Sequence, residues 1–273
     1  MTRFAVGAAE VGGPRLLVIA GPCVVESAEL CLRVGAHLRA ACAARDLPFV
    51  FKASFRKANR SSGRSFAGLP PDQALGALDR VRRELGVPVL TDVHETGEVA
   101  AAAEVADALQ IPAFLCRQTA LLEAAARTGR AVNVKKGQFL APEDMTQAVE
   151  KLTRAGGERI LLTERGTTFG YHDLVVDMRA LVAMRALGWP VVYDATHSLQ
   201  KPGGTETRGD RRFAFPLMRA AIACGVDALF FEAHPEPERA LSDAGTQLPL
   251  GEVEAFLDDA RRVREAVTER AHA

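Results

Sequence analysis

Four side chains of types that can hold a divalent ion, the Cys23 thiol, the His197 imidazole and the Glu232 and Asp243 carboxylates, stand in or shortly after short apolar runs. Sulfur, nitrogen and oxygen donors together suit borderline ions such as Zn, Fe(II) or Mn, although the scattered spacing is not that of a zinc finger. The same residues are equally accounted for by a small buried cysteine and a hydrogen-bonded wall histidine, since cysteine is often buried without any metal. A second group, Lys52, Lys57, Lys135, Lys136 and Arg165, offers fixed positive charge to a phosphorylated, carboxylated anion in a partly dehydrated cavity. The alternative is a ring of salt bridges to Asp92, Glu164 and Asp194, but the cations outnumber those acids and unpaired buried charge is costly. Arg60, followed by Ser61 and Ser62, could grip a second phosphate.

For these residues to meet, the fold must gather the ends of well-separated segments. Apolar runs recur at 15–22, 49–55, 87–93, 108–114, 131–137, 159–166, 190–196 and 228–234, each ending in polar or small residues, as expected of strands buried on both faces. Helical periodicity lies between them. Leu30, Val34 and Leu38 repeat every fourth residue, and Met145, Val149 and Leu152 sit between Pro142 and the Gly156–Gly157 pair. Val253, Phe256, Leu257, Ala260, Val263 and Val267 mark one face of a final helix. Eight strand-then-helix units without a shift in composition predict a single-domain (β/α)8 TIM barrel over residues 1–273, with 1–14 a short lead-in. Residues at the C-terminal strand ends would then share one mouth. An open doubly wound sheet is the second choice, disfavoured because no GxGxxG follows the first strand. The longest loops, 56–70 and 198–212, both follow strand ends.

Composition narrows the partners. The 273 residues carry 34 basic and 34 acidic groups, so no sequence-wide basic field draws the chain to nucleic acid, and only one tryptophan and two tyrosines could stack on bases. No apolar run approaches the roughly 18 residues of a membrane span, and the opening MTRFAVGAAEVGG lacks a signal peptide's basic start and apolar stretch. Five irregularly spaced cysteines fit a reducing compartment, so a cytoplasmic location is expected. Cys31, Cys42 and Cys224 are read as packing residues and Cys116 is undecided. His37 and His272 are read as surface positions, and His94, His172 and His234 as structural.

The strings IAGPCVVES (19–27), FKASFRKANRSSGRS (51–65), LTDVHE (90–95), LQIPAFLCRQT (109–119), NVKKGQF (133–139), ERGTTFGY (164–171), DATHSLQ (194–200) and FFEAHPEP (230–237) resemble the 3-deoxy-D-manno-octulosonate 8-phosphate synthases nearly end to end. KANRSS discriminates most, because the sister heptulosonate synthases, which use erythrose 4-phosphate, usually carry a KPRT-type segment there. The resemblance implies a (β/α)8 barrel that joins phosphoenolpyruvate to arabinose 5-phosphate on the way to the inner sugar of lipopolysaccharide. It implies that Lys57, Gln110, Lys135 and Arg165 contact phosphoenolpyruvate and that Asn59, Arg60 and Ser61 bind the pentose phosphate, with Lys52 also in the substrate set. Lys57, Asp92, Lys135 and His197 are the residues expected to serve catalysis. The cysteine at position 23 places the chain with the metal-requiring members, where metal-free ones carry asparagine, and implies a divalent-ion site of Cys23, His197, Glu232 and Asp243. A homo-oligomer, commonly a tetramer, with Arg60 and Ser61 reaching a neighbouring subunit, is implied as well. Three departures stand out: Arg56 replaces a usual aspartate, SDAGTQLP (242–249) lacks the usual glycine-proline or glycine-alanine step and the asparagine after it, and 201–212 is poorer in glycine. A metal-dependent aldolase or isomerase on the same fold, and a barrel kept only for binding, are the remaining alternatives.

Overall fold

The computed structural model describes residues 1–58, 66–203 and 208–270. Its strands are β1 Phe4–Val6, β2 Ala9–Val11, β3 Leu17–Gly21, β4 Phe49–Lys52, β5 Val89–Asp92, β6 Ala108–Ile111, β7 Ala131–Lys135, β8 Ile160–Glu164, β9 Thr167–Thr168, β10 Leu174–Val175, β11 Val191–Asp194, β12 Gln200–Lys201, β13 Arg208–Gly209, β14 Ala228–His234 and β15 Leu248–Pro249. Its helices are α1 Ala28–Ala43, α2 Pro71–Leu85, α3 Val99–Val105, α4 Thr119–Arg127, α5 Met145–Arg154, α6 Met178–Arg185, α7 Ala214–Ala223 and α8 Val253–Arg270. Strands β3 to β8, β11 and β14 pair in parallel, and β14 bonds to both β3 and β11, which closes the ring. The chain is therefore a (β/α)8 barrel, and that closure excludes the open sheet.

Closure divides the apolar residues into two layers, because alternate strand residues face opposite sides. Outward residues such as Val18, Phe51, Val89, Ile111, Val134, Leu162, Tyr193 and Phe231 pack under the helices, against Val34, Leu78, Leu122, Leu152, Met218 and Phe256. Inward residues Ile19, Val50, Leu90, Ala108, Ala131, Leu161, Val192 and Ala228 fill the barrel floor. The next inward position on each strand, two residues on, is Gly21, Lys52, Asp92, Gln110, Asn133, Thr163, Asp194 or Phe230. Except at Gly21 and Phe230, the interior thus turns from apolar to polar in one step toward the C-terminal end. Below the floor, the β1–β2 hairpin adds Val6, Ala9 and Val11 to the same cluster. Residues expected only as a lead-in therefore plug the barrel.

Local signals set the helix ends. The Ser27 hydroxyl accepts from Leu30 N–H at 3.1 Å and caps α1. Pro142 opens a short turn leading into α5, and Gly156, at φ +93°, lets Gly157 N–H reach back to the Leu152 carbonyl at 2.8 Å. The segment expected as a loop over 198–212 carries instead the β12–β13 hairpin, with Gln200 opposite Gly209 and Lys201 opposite Arg208. Among the described residues, no helix is long and apolar enough to cross a membrane.

Candidate active site at the barrel mouth

At the C-terminal end of the strands lies a cavity of about 570 Å³, whose lining includes Lys52, Lys57, Asp92, Gln110, Lys135, Arg165, His197 and Asp243. Cys23 and Glu232 are fully buried beside it. Of the expected site residues, Asn59, Arg60 and Ser61 lie outside the described residues. Lys136 departs from its expected place. It faces outward, where its ammonium meets Glu164 at 3.5 Å, Thr167 Oγ1 at 3.0 Å and the Leu140 carbonyl at 3.2 Å. Its role is to tie β7 to β8, and the mouth holds one cation fewer than the sequence suggests.

Close strand contact creates the corner where the expected ion ligands meet. A Cβ on Gly21 would fall 2.0 Å from the Lys52 carbonyl oxygen, so only glycine lets β3 pass β4 here. Beyond Pro22, Cys23 is held by backbone bonds, Ser54 N to Cys23 O at 3.2 Å and Val25 N to Ser54 O at 2.9 Å. Its sulfur lies 2.9 Å from Ser242 Oγ and 3.2 Å from Asp243 Oδ2. Ligand atoms of Cys23, Glu232 and Asp243 all fall within 4.8 Å of one another. The fourth expected ligand, His197, falls outside that group of three but borders its carboxylates: Nε2 is 3.6 Å from both Glu232 Oε1 and Asp243 Oδ2. Two donors bound at about 2.1 Å to one tetrahedral ion lie roughly 3.4 Å apart, so this spacing suits a shared ion.

The surroundings prepare those donors. Asp194, fully buried, accepts from Thr196 N, His197 N and His197 Nδ1, the last at 2.8 Å, which leaves Nε2 facing the carboxylates. A carboxylate behind a ligating histidine fixes its tautomer and raises its basicity. Burial raises Asp194, but His197 and Lys135 outweigh that and hold it well below the usual carboxylate range. Burial, with Asp243 and Glu232 beside it, pushes the Cys23 thiol up. Glu232 Oε1 receives Lys52 at 3.3 Å, while its buried Oε2 has no hydrogen-bond partner among the described residues. An unsatisfied buried carboxylate oxygen next to a thiol and a second acid is the arrangement a cation would complete.

The cations are spread around the wall. Lys135 pairs with Asp194 and lies 3.4 Å over the Phe230 ring; burial draws its ammonium down to about 8 although Asp194 opposes this. Burial would lower Lys57 too, yet Cys23, Glu232, Asp92 and Asp243 around it prevail and raise it. Arg165 is lowered by burial; its Nη2 donates to Gln200 Oε1 at 2.6 Å, and its Nη1 is buried without a partner among the described residues. Hydrogen bonds from Asn133 Nδ2 to Gln110 Oε1 (3.0 Å) and from Thr163 Oγ1 to Asn133 Oδ1 (2.6 Å) fix the amide of Gln110 across three strands. The cavity therefore combines donors for a multiply charged anion with a cation corner at its edge. The alternative of a salt-bridge ring to Asp92, Glu164 and Asp194 holds only in part, for Lys135 with Asp194 and Lys136 with Glu164, while Lys52 pairs with Glu232 instead.

Several lining residues were not assigned to the site from sequence, His94 and Gln138 among them. His94, taken as structural, has Nε2 3.2 Å from Asp92 Oδ2 and lines the cavity, and Gln138 lines it as well. Asp92 is raised by burial, but His94, Lys52 and Lys57 dominate and hold it far below the carboxylate range. Arg56 answers two glutamates, Glu95 at 2.9 Å and Glu98 at 2.5 Å, and Glu98 Oε2 also accepts from the His94 N–H at 2.9 Å. The charge reversal at position 56 is thus absorbed within the β5–α3 connection. Elsewhere, His37 meets Glu254 at 3.1 Å, His172 Nδ1 bonds to the Pro202 carbonyl at 2.8 Å, and His234 Nδ1 accepts from Glu236 N–H at 3.0 Å. Cys31 and Cys42 are buried in α1, Cys116 is buried after β6, and Cys224 is half-buried at the end of α7; His272 lies outside the described residues.

Comparison with known proteins fits this geometry. Residues 6–269 match the DAHP synthetase I family. A protein of Cyanothece sp. named 2-dehydro-3-deoxyphosphooctonate aldolase is 53% identical over 257 residues, covering 93% of this chain and 94% of its own. Proteins of the same name from Trichlorobacter lovleyi and Synechococcus sp. are 52% and 54% identical, covering 94% and 98% of this chain and 96% and 93% of their own.

Proposed function

This chain belongs to the DAHP synthetase I family, and on that footing we propose that it condenses phosphoenolpyruvate with D-arabinose 5-phosphate and water, giving 3-deoxy-D-manno-octulosonate 8-phosphate and inorganic phosphate. The observation that carries this reading is Arg165. Its Nη1, buried and without a partner among the described residues, stands in the same cavity as Lys57, Lys135 and Gln110, a donor set for an anion bearing both phosphate and carboxylate. The enol carbon attacks the aldehyde carbon, whose oxygen gains a proton. Water adds to the phosphate-bearing carbon, losing a proton, and the bond from that carbon to the bridging oxygen breaks, so this oxygen leaves with phosphate.

Lys57 and Arg165, charged throughout, stabilise the phosphate and carboxylate while negative charge shifts toward the leaving group. Lys135 Nζ, at about 8, can give up a proton near neutrality. Asp92, ionised and held by His94, accepts a hydrogen bond from the aldehyde sugar, and Lys52 and Gln110 complete the substrate wall. Cys23, His197, Glu232 and Asp243 hold a divalent ion of the Mn, Fe(II) or Zn type. When bound, such an ion supplies Lewis acidity and offsets the charge of two carboxylates. Asn59, Arg60 and Ser61 take the pentose phosphate. The exposed rings of Phe114, Phe139, Phe169 and Tyr171, on the connections after β6, β7 and β8, support burial against other copies in a homotetramer.

Phosphate release measured with phosphoenolpyruvate and either arabinose 5-phosphate or erythrose 4-phosphate tests the substrate choice. Turnover with the pentose is expected; activity with erythrose 4-phosphate alone would overturn it. Oxygen-18 at the bridging position is expected in inorganic phosphate. Prolonged chelation is expected to abolish activity and Mn to restore it, whereas Cys23→Ala stays inactive with Mn added; full activity of thoroughly stripped enzyme would refute the ion assignment.

A further inference from the structure

The expected ligand Asp243 sits on an unusual backbone. Its φ is +49°, in the left-handed region that a non-glycine residue enters only under constraint. Both peptides beside it are tied down from the same place. The preceding carbonyl, of Ser242, accepts from Gln247 Nε2 at 2.7 Å. The Asp243 carbonyl accepts from Thr246 N at 3.1 Å, Thr246 Oγ1 at 3.3 Å and Gln247 N at 3.3 Å.

Gln247 is completely buried, and its Oε1 has no hydrogen-bond partner among the described residues. An amide kept in such a place at the cost of a bare acceptor is there for what its donor does. Its next neighbour, Leu248, pairs in register with Ala233, the residue after Glu232. Through its side chain Gln247 reaches Ser242, whose hydroxyl lies 2.9 Å from Cys23 Sγ. It is therefore a strut between the strand that carries Glu232 and the turn that carries Asp243, facing Cys23.

Resting on the divalent-ion reading above, we propose that Gln247 is a positioning residue: by fixing the Ser242–Asp243 peptide it aims Asp243 Oδ2 at Cys23 and His197 and so sets how tightly the ion is held.

Gln247→Met keeps the side-chain length and removes the donor; Gln247→Glu keeps the shape and turns an acceptor toward the Ser242 carbonyl. Mn affinity is measured by competition with a chelator, and melting temperatures are recorded with and without Mn. Both variants are expected to bind Mn roughly 10–100-fold more weakly, the range seen when support behind a metal ligand is lost. Stripped Gln247→Met is expected to melt at the wild-type temperature or above, with a smaller rise on adding Mn, and saturating Mn is expected to restore an unchanged KM for phosphoenolpyruvate. Wild-type Mn affinity in Gln247→Met, or a fall in its metal-free melting temperature matching the loss of affinity, would overturn the role of Gln247 alone. Wild-type protein that binds Mn no better than Cys23→Ala would overturn the ion site itself, and this inference with it.

Discussion

Lys135 shows how one buried side chain links stability, charge and turnover. Its ammonium titrates near 10.5 when exposed and near 8 in the folded chain. Between those values the unfolded chain holds a proton that the folded one has shed, so this residue makes stability rise with pH across the window, and its full penalty is present below about 8. Its effect on binding runs the other way, because the positive charge is lost above 8. In the free enzyme kcat/KM for phosphoenolpyruvate should fall about tenfold per unit above that pH, and Lys135→Met should give a low profile without that limb. A wild-type profile flat to pH 10 would contradict the assignment. The inward residues Lys52, Asp92, Lys135 and Asp194 were legible because each stands toward the end of a recognisable run and closes its strand, whereas Gln110 came only from the family resemblance; alternation alone distinguishes Lys135 from outward-facing Lys136. His94 was not legible. It lies two residues past Asp92, where the strand has ended and periodicity no longer says which way a side chain turns.

At the scale of elements, the eight barrel strands fall within the eight apolar runs, since a strand covered on both faces leaves an uninterrupted hydrophobic signal. The short pairs were invisible for the opposite reason: β9–β10 and β12–β13 have two residues per strand and half-exposed faces, too little for any period to register. Gly21 supplies the sharpest test of how an element positions chemistry. A methyl group there would meet the Lys52 carbonyl at 2.0 Å, backbone against backbone, and neither strand can yield without opening the ring. Gly21→Ala should therefore cost about 1–3 kcal/mol or more in urea unfolding, and should also weaken Mn retention, because Cys23 follows, and Lys52 ends, the two strands forced apart. Unchanged unfolding would show that the barrel can absorb the shift.

For the whole molecule, the β1–β2 hairpin matters because a barrel floor of alanine, valine and leucine is open to water unless something covers it. Val6, Ala9 and Val11 are all but fully buried there. Residues 1–14 carry no strong periodicity, so this covering function could not be read from the sequence; it arises from the closed barrel it covers. Removing residues 1–13 leaves every candidate site residue in place. The truncated chain should nonetheless unfold at lower urea and bind more of a hydrophobic dye, while intact-site kinetics persist in whatever fraction remains folded. Equal midpoints for the two chains would show that the plug contributes nothing.

The bond network around Cys23 also spans the seam where the first barrel strand meets the last, for Cys23 follows β3 while Glu232 belongs to β14 and Ser242 and Asp243 come after it. During synthesis, a ribosome must release almost the entire polypeptide before these partners can coexist. On the proposed ion site, loading would consequently be a late event that reports a finished ring, and prematurely terminated chains lacking the final strand should emerge from the cell empty.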